Sequence, residues 1–173
     1  MRIAKRFVLP VLCASFFALA LSQVHDWKEY VYETDGFAIS SPMAPALEKV
    51  TMQPVAGEVE AHLYYIPLQN CRLVVMYAPL HPDDKRAPEQ ALQDSKKGIA
   101  LSGAKLLSQK SISLGNYPGI ELETDNGQHH QLGRFYAIDR RMYTLAADVP
   151  SGKEFPPEVE RWYKSFRMVS ATK

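Results

Sequence analysis

The densest cluster of metal-capable side chains in the sequence is the segment HPDD, which holds His81, Asp83 and Asp84. An imidazole and two carboxylates this close together could converge on a divalent cation. The segment also contains turn-forming residues and precedes a predicted helix, and Asp often caps helices. These residues therefore predict either a metal site or a turn that caps the helix, and the local pattern favours the turn.

A pair of carboxylates suggests a second kind of chemistry. Glu121 and Glu123 are two residues apart in a predicted strand, so both side chains point to the same face of the sheet. Two carboxylates on one face could supply the acid and base of a hydrolase or glycosidase. Their alternation with Ile120 and Leu122 favours a solvated strand face instead. Arg134, on the next strand, is then expected to form a cross-strand ion pair with them.

Two adjacent histidines, His129 and His130, follow the segment DNG, whose Asn-Gly pair is typical of a hairpin turn. Neighbouring side chains in a strand point to opposite faces. We therefore expect two exposed hairpin residues rather than two ligands of one metal.

Common catalytic and nucleotide-binding motifs do not occur in the sequence. There is no GxSxG nucleophile elbow, P-loop, HExxH, CxxC or GxGxxG segment. The remaining histidines, His25 and His62, stand alone. The sequence therefore predicts a protein that is not an enzyme and uses no cofactor.

The elements that must position these residues are mostly strands. Asp35-Gly36 predicts a two-residue hairpin turn between EYVYET and the following FAISSP, and LEKVTM and EVEAHLYYIPL predict further strands. The apolar run from Leu73 to Ala78 predicts a central strand covered on both faces. After AKLLSQKSISL and a turn at Gly115-Asn116, three antiparallel strands form a meander. Its turns are expected at Asp125–Gly127 and Asp139-Arg140.

A first helix is predicted to begin at Pro88, because proline suits the first helical turn. Leu92, Ser95 and Ile99 lie on one side of it, and the helix ends at Gly103 or earlier, at Gly98.

A second helix is predicted in FPPEVERWYKSFRMV. Its apolar residues are spaced i, i+3, i+4 and i+7 and are Val159, Trp162, Tyr163 and Phe166. Such a stripe predicts a helix packed against the sheet.

The N-terminus is predicted to be a signal peptide over residues 1–22. Basic residues precede the apolar run Phe7–Leu21, which is too short to span a bilayer, and the small residues Ala20 and Ser22 lie at its end, where a signal peptidase would read them. We expect cleavage before Gln23 or two residues earlier, after Ala20; a retained membrane anchor is the alternative. Cys13 lacks the preceding residues of a lipoprotein signal. Residues 23–34 form a lead-in, and residues 35–170 a single domain.

The charge balance excludes two classes of partner. Removing residues 1–22 takes away three basic and no acidic residues, which leaves 17 basic and 19 acidic residues and a formal charge near −2. This balance provides no basic surface for nucleic acid or for an anionic membrane. We expect a periplasmic or secreted monomer or weak oligomer that does not insert into a membrane.

Cys71 is the single cysteine that remains after removal of residues 1–22. Its apolar surroundings predict a buried, inert thiol rather than a reactive one or an intermolecular disulfide.

The order of elements resembles the PsbP-like proteins of the Mog1/PsbP-fold group. The resemblance rests on GFAISSP, LVVMYA, GNYPGIELE, RFYAIDRRMYTL and the final RWYKSFRM, and covers roughly Asp35 to Val169. It implies an α+β fold, an α-β-α sandwich with a largely antiparallel twisted sheet and helices on both faces. Plant members of the group are extrinsic proteins of photosystem II, and other relatives bind partner proteins. The resemblance thus implies a binding or accessory role.

For such a role we predict a protein partner that contacts the meander. Aromatic and basic side chains carry much of the binding energy at protein interfaces. The candidates are Tyr117, Arg134, Tyr136 and Tyr143. Two alternatives stay open, a metal-binding envelope protein using His81, Asp83 and Asp84, and a hydrolase using Glu121 and Glu123.

Overall fold

The computed structural model describes residues 26–54, 56–101 and 103–170 of the chain, and the side chains of residues 99–101 are not among the features described. The predicted signal peptide, its cleavage sites and the expected position of the Ile99 side chain all lie outside this part.

Ten strands and two helices make up the described residues. In chain order they are β1 (Lys28–Tyr32), β2 (Phe37–Ser41), β3 (Ala46–Met52), β4 (Val59–Leu68), β5 (Cys71–Pro79), α1 (Pro88–Leu101), β6 (Lys105–Leu114), β7 (Tyr117–Asp125), β8 (His129–Ile138), β9 (Arg141–Pro150), α2 (Glu158–Ser165) and β10 (Arg167–Met168). β1 falls within the predicted lead-in, where it pairs with β2.

The strands form a seven-stranded sheet of order β3-β4-β5-β9-β8-β7-β6 and a three-stranded sheet of order β1-β2-β10. Every pairing is antiparallel. The meander predicted from its turn residues is therefore present as β7, β8 and β9, and β6 pairs with β7 at one edge. Two helices with a mostly antiparallel sheet confirm the α+β class.

The turn between β1 and β2 is longer than predicted. Four residues, Glu33 to Gly36, separate the strands, and the Gly36 N–H donates to the Tyr32 carbonyl at 2.8 Å. Gly36 has φ +77°, and a Cβ there would lie 2.6 Å from a guanidinium nitrogen of Arg141. The positive φ favours glycine, because an L side chain would be strained there and would also displace the Arg141 guanidinium.

The main core lies between one face of the large sheet, the small sheet and α2. It takes alternate residues of β9, Tyr143 to Val149, together with Phe37 and Ile39 from β2. The predicted stripe of α2 is buried in it, with Trp162 completely inaccessible. Burial of these aromatic and aliphatic side chains is the principal stabilising contribution to the fold.

A smaller cluster uses the alternate residues of the same strands. Ile120, Leu122 and Ala137 pack with Leu92 of α1, and Phe135 and Met142 lie against them. Because neighbouring side chains of a strand point to opposite faces, this cluster and the main core occupy the two faces of the large sheet.

The prediction that β5 is covered on both faces is wrong. Leu73 and Val75 are buried, whereas Val74 and Met76 are only half-buried. The principal contacts of α1 are with β6, β7 and β8, so it lies over those strands rather than over β5. The apolar run therefore predicted the strand correctly but wrongly predicted that both of its faces are buried.

The helix ends follow the sequence signals closely. α1 begins at Pro88 and continues through Gly98 to Leu101, and Gly103 takes φ +78° beyond it. α2 ends at Ser165, and Phe166 turns into extended backbone at its C-cap. Neither helix of the described residues is long and apolar enough to cross a membrane.

Candidate functional site

A cleft of about 540 Å³ lies between α1 and the part of the sheet that α1 leaves open, and we call it the α1 cleft. Its floor is mostly apolar and comes from β5, β8 and β9. The floor residues are Met76, Phe135, Met142 and Thr144. α1 lines one wall with Ala91, Ser95 and Gly98, which are spaced i, i+4 and i+7 on one side of the helix. Small side chains there leave room between helix and sheet.

One end of the α1 cleft is closed by an ion-pair network that the sequence did not reveal. The Arg86 guanidinium donates to both carboxylate oxygens of Asp84, at 2.5 to 3.1 Å, and to Asp94 at 2.9 Å. These hydrogen bonds lower the pKa of the buried Asp84 carboxyl to about 2. Asp94 also accepts from Gln90 and Lys97. The carboxylates at this end are thus already bound to donors of the same chain.

The loop of the predicted metal site is held by an arginine instead. Arg140 donates to the backbone carbonyls of His81, Pro82 and Asp84 at 2.8, 3.3 and 3.0 Å. The Asp84 N–H donates to the His81 carbonyl at 2.9 Å, as expected for a turn.

The three predicted ligands do not converge on one point. The Asp84 oxygens face Arg86, whereas the Asp83 side chain is 83% exposed and 3.8 Å from His81 Nδ1. No group of three or more His, Cys, Asp and Glu side chains within the described ranges could hold a metal ion. Asp84 accepts from the Arg86 N–H, before α1 begins, so it stabilises the turn rather than the helix start.

Glu121 and Glu123 share a face, as predicted, but that face is not a solvated one. Glu121 is buried and accepts from Arg134 Nε at 2.7 Å, in the cross-strand register expected from the sequence. The Arg134 guanidinium also lies 4.1 Å from the centroid of the Tyr163 ring. Glu123 accepts from His130 and Ser108, and these bonds lower the pKa of Glu123. A catalytic acid requires the opposite shift.

His129 and His130 point to opposite faces, as predicted. His129 Nδ1 lies 3.2 Å from an Asp148 oxygen and its side chain is mostly exposed. The His130 side chain is largely buried, because its ring packs against Phe155 and Nε2 lies 2.8 Å from Glu123. The hairpin position was therefore predicted correctly, and the exposure of His130 was not.

The four candidate partner-binding residues share one face of the large sheet, but that face carries the main core. Tyr136 and Tyr143 are buried in the main core, where their rings pack near Phe166. Arg134 is largely enclosed by Glu121 and Tyr163. Tyr117 is half-buried. The packing positions of the two tyrosines leave little ring surface for a partner, and binding by these residues stays a prediction.

Tyr117 and Tyr143 do line a second, polar cavity of about 360 Å³, which we call the turn pocket. Asp139 and Arg141 contribute its charges. The pocket lies at the turn between β8 and β9, and the residues that form it alternate in β9 with those of the α1 cleft. The two cavities therefore open on opposite faces of the sheet.

A buried acid also escaped sequence analysis. Asp35, expected only as a turn residue, accepts from the Tyr64 hydroxyl at 2.6 Å and lies 2.6 Å from His62 Nδ1. The second ring nitrogen of His62 is 3.0 Å from Glu60. The Tyr143 hydroxyl donates to the Asp35 carbonyl at 2.7 Å, so this residue joins the small sheet to the large one.

Comparisons with known proteins identify the fold. No protein-family model and no curated protein sequence gives a match to this chain. Among solved structures, the chain is similar to the solution structure of cyanobacterial PsbP (CyanoP) from Synechocystis sp. PCC 6803, with a TM-score of 0.57 and 14% sequence identity. The similarity covers 88% of this chain and 98% of that one. The predicted resemblance is confirmed at the level of structure, and the chain has a PsbP-like fold.

Proposed function

We propose that this chain is a periplasmic or secreted binding protein without catalytic activity, and that it assists or stabilises a partner protein. Residues 1–22 act as the signal peptide, residues 23–34 lead into the domain, and residues 35–170 carry the function. The PsbP-like fold supports this role because it is shared with a cyanobacterial PsbP. At 14% identity the similarity supports the role only through the fold.

The finer architecture fits an α-β-α sandwich. Leu92 of α1 packs with the cluster that contains Leu122 and Ala137, whereas Trp162 of α2 packs in the main core on the other face. These contacts support a sandwich in which the two helices belong to opposite layers. In this arrangement α2 completes the core, and α1 is free to form the wall of a binding cleft.

The observation that carries the proposal is the composition of the α1 cleft. Its floor presents Met76, Phe135 and Met142 to solvent, and Met is an adaptable residue at binding surfaces. The charged groups at its end, Asp84 and Arg86, are bound to one another. An apolar surface without free convergent titratable groups suits binding of an apolar partner segment better than acid-base chemistry.

The two alternatives receive less support from the geometry. A metal site at His81, Asp83 and Asp84 would require Asp84 to leave Arg86. A hydrolase at Glu121 and Glu123 would require Glu121 to leave Arg134, while both residues stay in a strand interior. Each group already has the partner that satisfies its charge.

Site-specific photo-crosslinking tests the proposal. A benzophenone amino acid is placed at Met52, an exposed residue at the rim of the α1 cleft, and the mature protein is mixed with envelope extract. The control carries the same group at Leu106, which is similarly exposed but lies on the distant edge strand β6. We expect a discrete crosslinked protein at Met52 and none at Leu106.

A matched pair of lysine substitutions then links the adduct to the cleft. Thr144→Lys places a charge on the cleft floor, whereas Thr51→Lys adds one at an exposed position of edge strand β3. Loss of the adduct with Thr144→Lys and its retention with Thr51→Lys would support the proposal. Equal labelling from Met52 and Leu106, or an adduct that Thr144→Lys leaves unchanged, would contradict it.

A further inference from the structure

The turn pocket contains the guanidinium of Arg141, which forms no salt bridge with the Asp139 carboxylate of the same pocket. Arg141 lies against the backbone of Gly36, has a hydrogen bond with the Tyr143 hydroxyl, and stands 5.9 Å from the centroid of the Tyr77 ring. The hydrogen bond with Tyr143 and, more weakly, the charge of Asp139 raise the pKa of Arg141. Among the described residues, the salt bridges formed by arginines involve Arg72, Arg86, Arg134 and Arg167, and Arg141 is not one of these. A guanidinium has five donors, so most of those of Arg141 remain free for a ligand.

The same pocket contains a carboxylate that is almost as uncommitted. Asp139 accepts a long hydrogen bond, 3.4 Å from the Tyr117 hydroxyl. Asp139 and Arg141 line one cavity and attract each other electrostatically, but no salt bridge joins them. The pocket therefore presents two opposite charges in one cavity, and each can receive a complementary group.

The backbone of the turn makes different demands on its two residues. Asp139 and Arg140 have φ +46° and +61°, a left-handed region that Asp tolerates and that is costly for Arg. Arg140 offsets its strain by binding three loop carbonyls. The Asp139 side chain has no comparable structural partner and lines the turn pocket.

We propose that the turn pocket binds a small zwitterion of the α-amino-acid class. The ligand carboxylate lies on the free donors of Arg141, and the ligand ammonium faces Asp139. An α-amino acid carries both groups on one carbon, so it can bridge the two protein charges within a cavity of about 360 Å³. A carboxylate on a planar guanidinium gains directional, charge-assisted hydrogen bonds. This site lies outside the α1 cleft and does not depend on the function proposed for it.

The test begins with the thermal stability of residues 23–173 in the presence of each proteinogenic L-amino acid at millimolar concentration. A ligand that binds the folded state raises the melting temperature. Calorimetry on the strongest ligand then compares three forms, the free amino acid, its N-acetyl derivative and its α-amide. We expect each blocked form to bind at least about tenfold more weakly than the free amino acid, because each loses one charge-assisted contact.

Variants assign the two contacts. Asp139→Asn keeps a residue that tolerates left-handed backbone, and Arg141→Lys keeps the charge but loses the planar fork. Each should weaken binding of the free amino acid about tenfold, since one charge-assisted contact is lost. The control Arg161→Lys, which alters a guanidinium stacked on Trp27, should leave affinity unchanged.

Three results would overturn the proposal. One is that no amino acid raises the melting temperature. Another is that a blocked form binds as tightly as the free ligand. The third is that Asp139→Asn, with an unchanged melting temperature, retains full affinity.

Discussion

The α1 cleft and the turn pocket differ in how their charges are used. In the cleft, Arg86 is surrounded by the carboxylates of Asp84 and Asp94, so the exposed surface is effectively apolar. In the turn pocket, Arg141 and Asp139 are near each other but unpaired. The comparison teaches that a cluster of charged residues marks a binding site only if those residues have donors or acceptors to spare.

A single turn separates the two cavities. Arg140 reaches toward the loop at the end of the cleft, whereas Asp139 and Arg141 belong to the turn pocket.

Removing the carboxylate at the end of the α1 cleft should have the largest effect. Asp84→Ala leaves Arg86 without its main partner, and we expect unfolding free energy to fall by about 3 kcal/mol. Asp83→Ala, one residue away and exposed, should change it by less than about 0.5 kcal/mol. Urea denaturation measures both. Similar losses of unfolding free energy for the two variants would show that Asp84 contributes no more to stability than an exposed carboxylate does.

Acid titration sharpens the same point. Hydrogen bonds from Arg86 lower the pKa of Asp84 to about 2, below the ordinary value of about 3.9. A carboxyl of this kind stabilises the fold fully above its ordinary pKa and loses that contribution as the pH falls through about 2. The difference between wild type and Asp84→Ala should therefore persist at pH 5 and shrink only in strong acid.

The arginine of the turn should matter next. Arg140→Ala removes three hydrogen bonds to the loop from His81 to Asp84 and keeps the strained backbone. We therefore expect the unfolding free energy to fall by about 2 kcal/mol. Arg140→Gly removes the same bonds but relieves the left-handed strain, and should lose about 1 kcal/mol less. Denaturation curves of the two variants compare these contributions. If Arg140→Gly were the less stable variant, the turn would not be strained.

A smaller effect is expected on the other face. Tyr143→Phe removes the donor to the Asp35 carbonyl and the hydrogen-bond partner of Arg141, which should cost about 1 to 1.5 kcal/mol. Tyr117→Phe loses only the 3.4 Å contact with Asp139 and should be nearly neutral. Thermal unfolding distinguishes them. Equal losses would mean that Tyr117 supports the fold, contrary to its assignment to a cavity wall.

The smallest effect should come from His62, which belongs to neither cavity. Burial favours its neutral form, but hydrogen bonds to Glu60 and Asp35 outweigh burial and raise the pKa of His62. Its contribution is then complete below the ordinary pKa of about 6.5 and is lost as the pH rises through the raised folded value. We expect the unfolding free energy of the wild type to fall by up to about 1 kcal/mol across this range. The unfolding free energy of His62→Gln should not show this fall. Parallel pH profiles of the two proteins would refute this assignment.

Local sequence patterns predicted most of the elements. Turn dipeptides such as Asn126-Gly127 and the apolar spacing of α2 depend on neighbouring residues, so one sequence contains the information. The Glu121–Arg134 pair followed from the meander register, and the burial of Cys71 from its apolar neighbours.

The cavities depend on where elements pack, which periodicity does not specify. The run Leu73–Ala78 indicated a strand, but only tertiary structure shows that α1 leaves Met76 uncovered. Likewise, Arg86 and Asp94 come together because a loop folds back on α1. The alternation of Phe135, Met142 and Thr144 along β8 and β9 was a visible signal for the cleft floor, and the sequence analysis did not use it.

The thiol of Cys71, the one cysteine among the described residues, offers an internal reporter of how this sheet opens. It is buried on the core face of β5, and burial raises its pKa to about 11, so both access and thiolate fraction are low in the folded protein. A disulfide reagent should modify it only when β5 is transiently released. The modification rate would thus report how often β5 separates from the neighbouring strands of the sheet, without any introduced label.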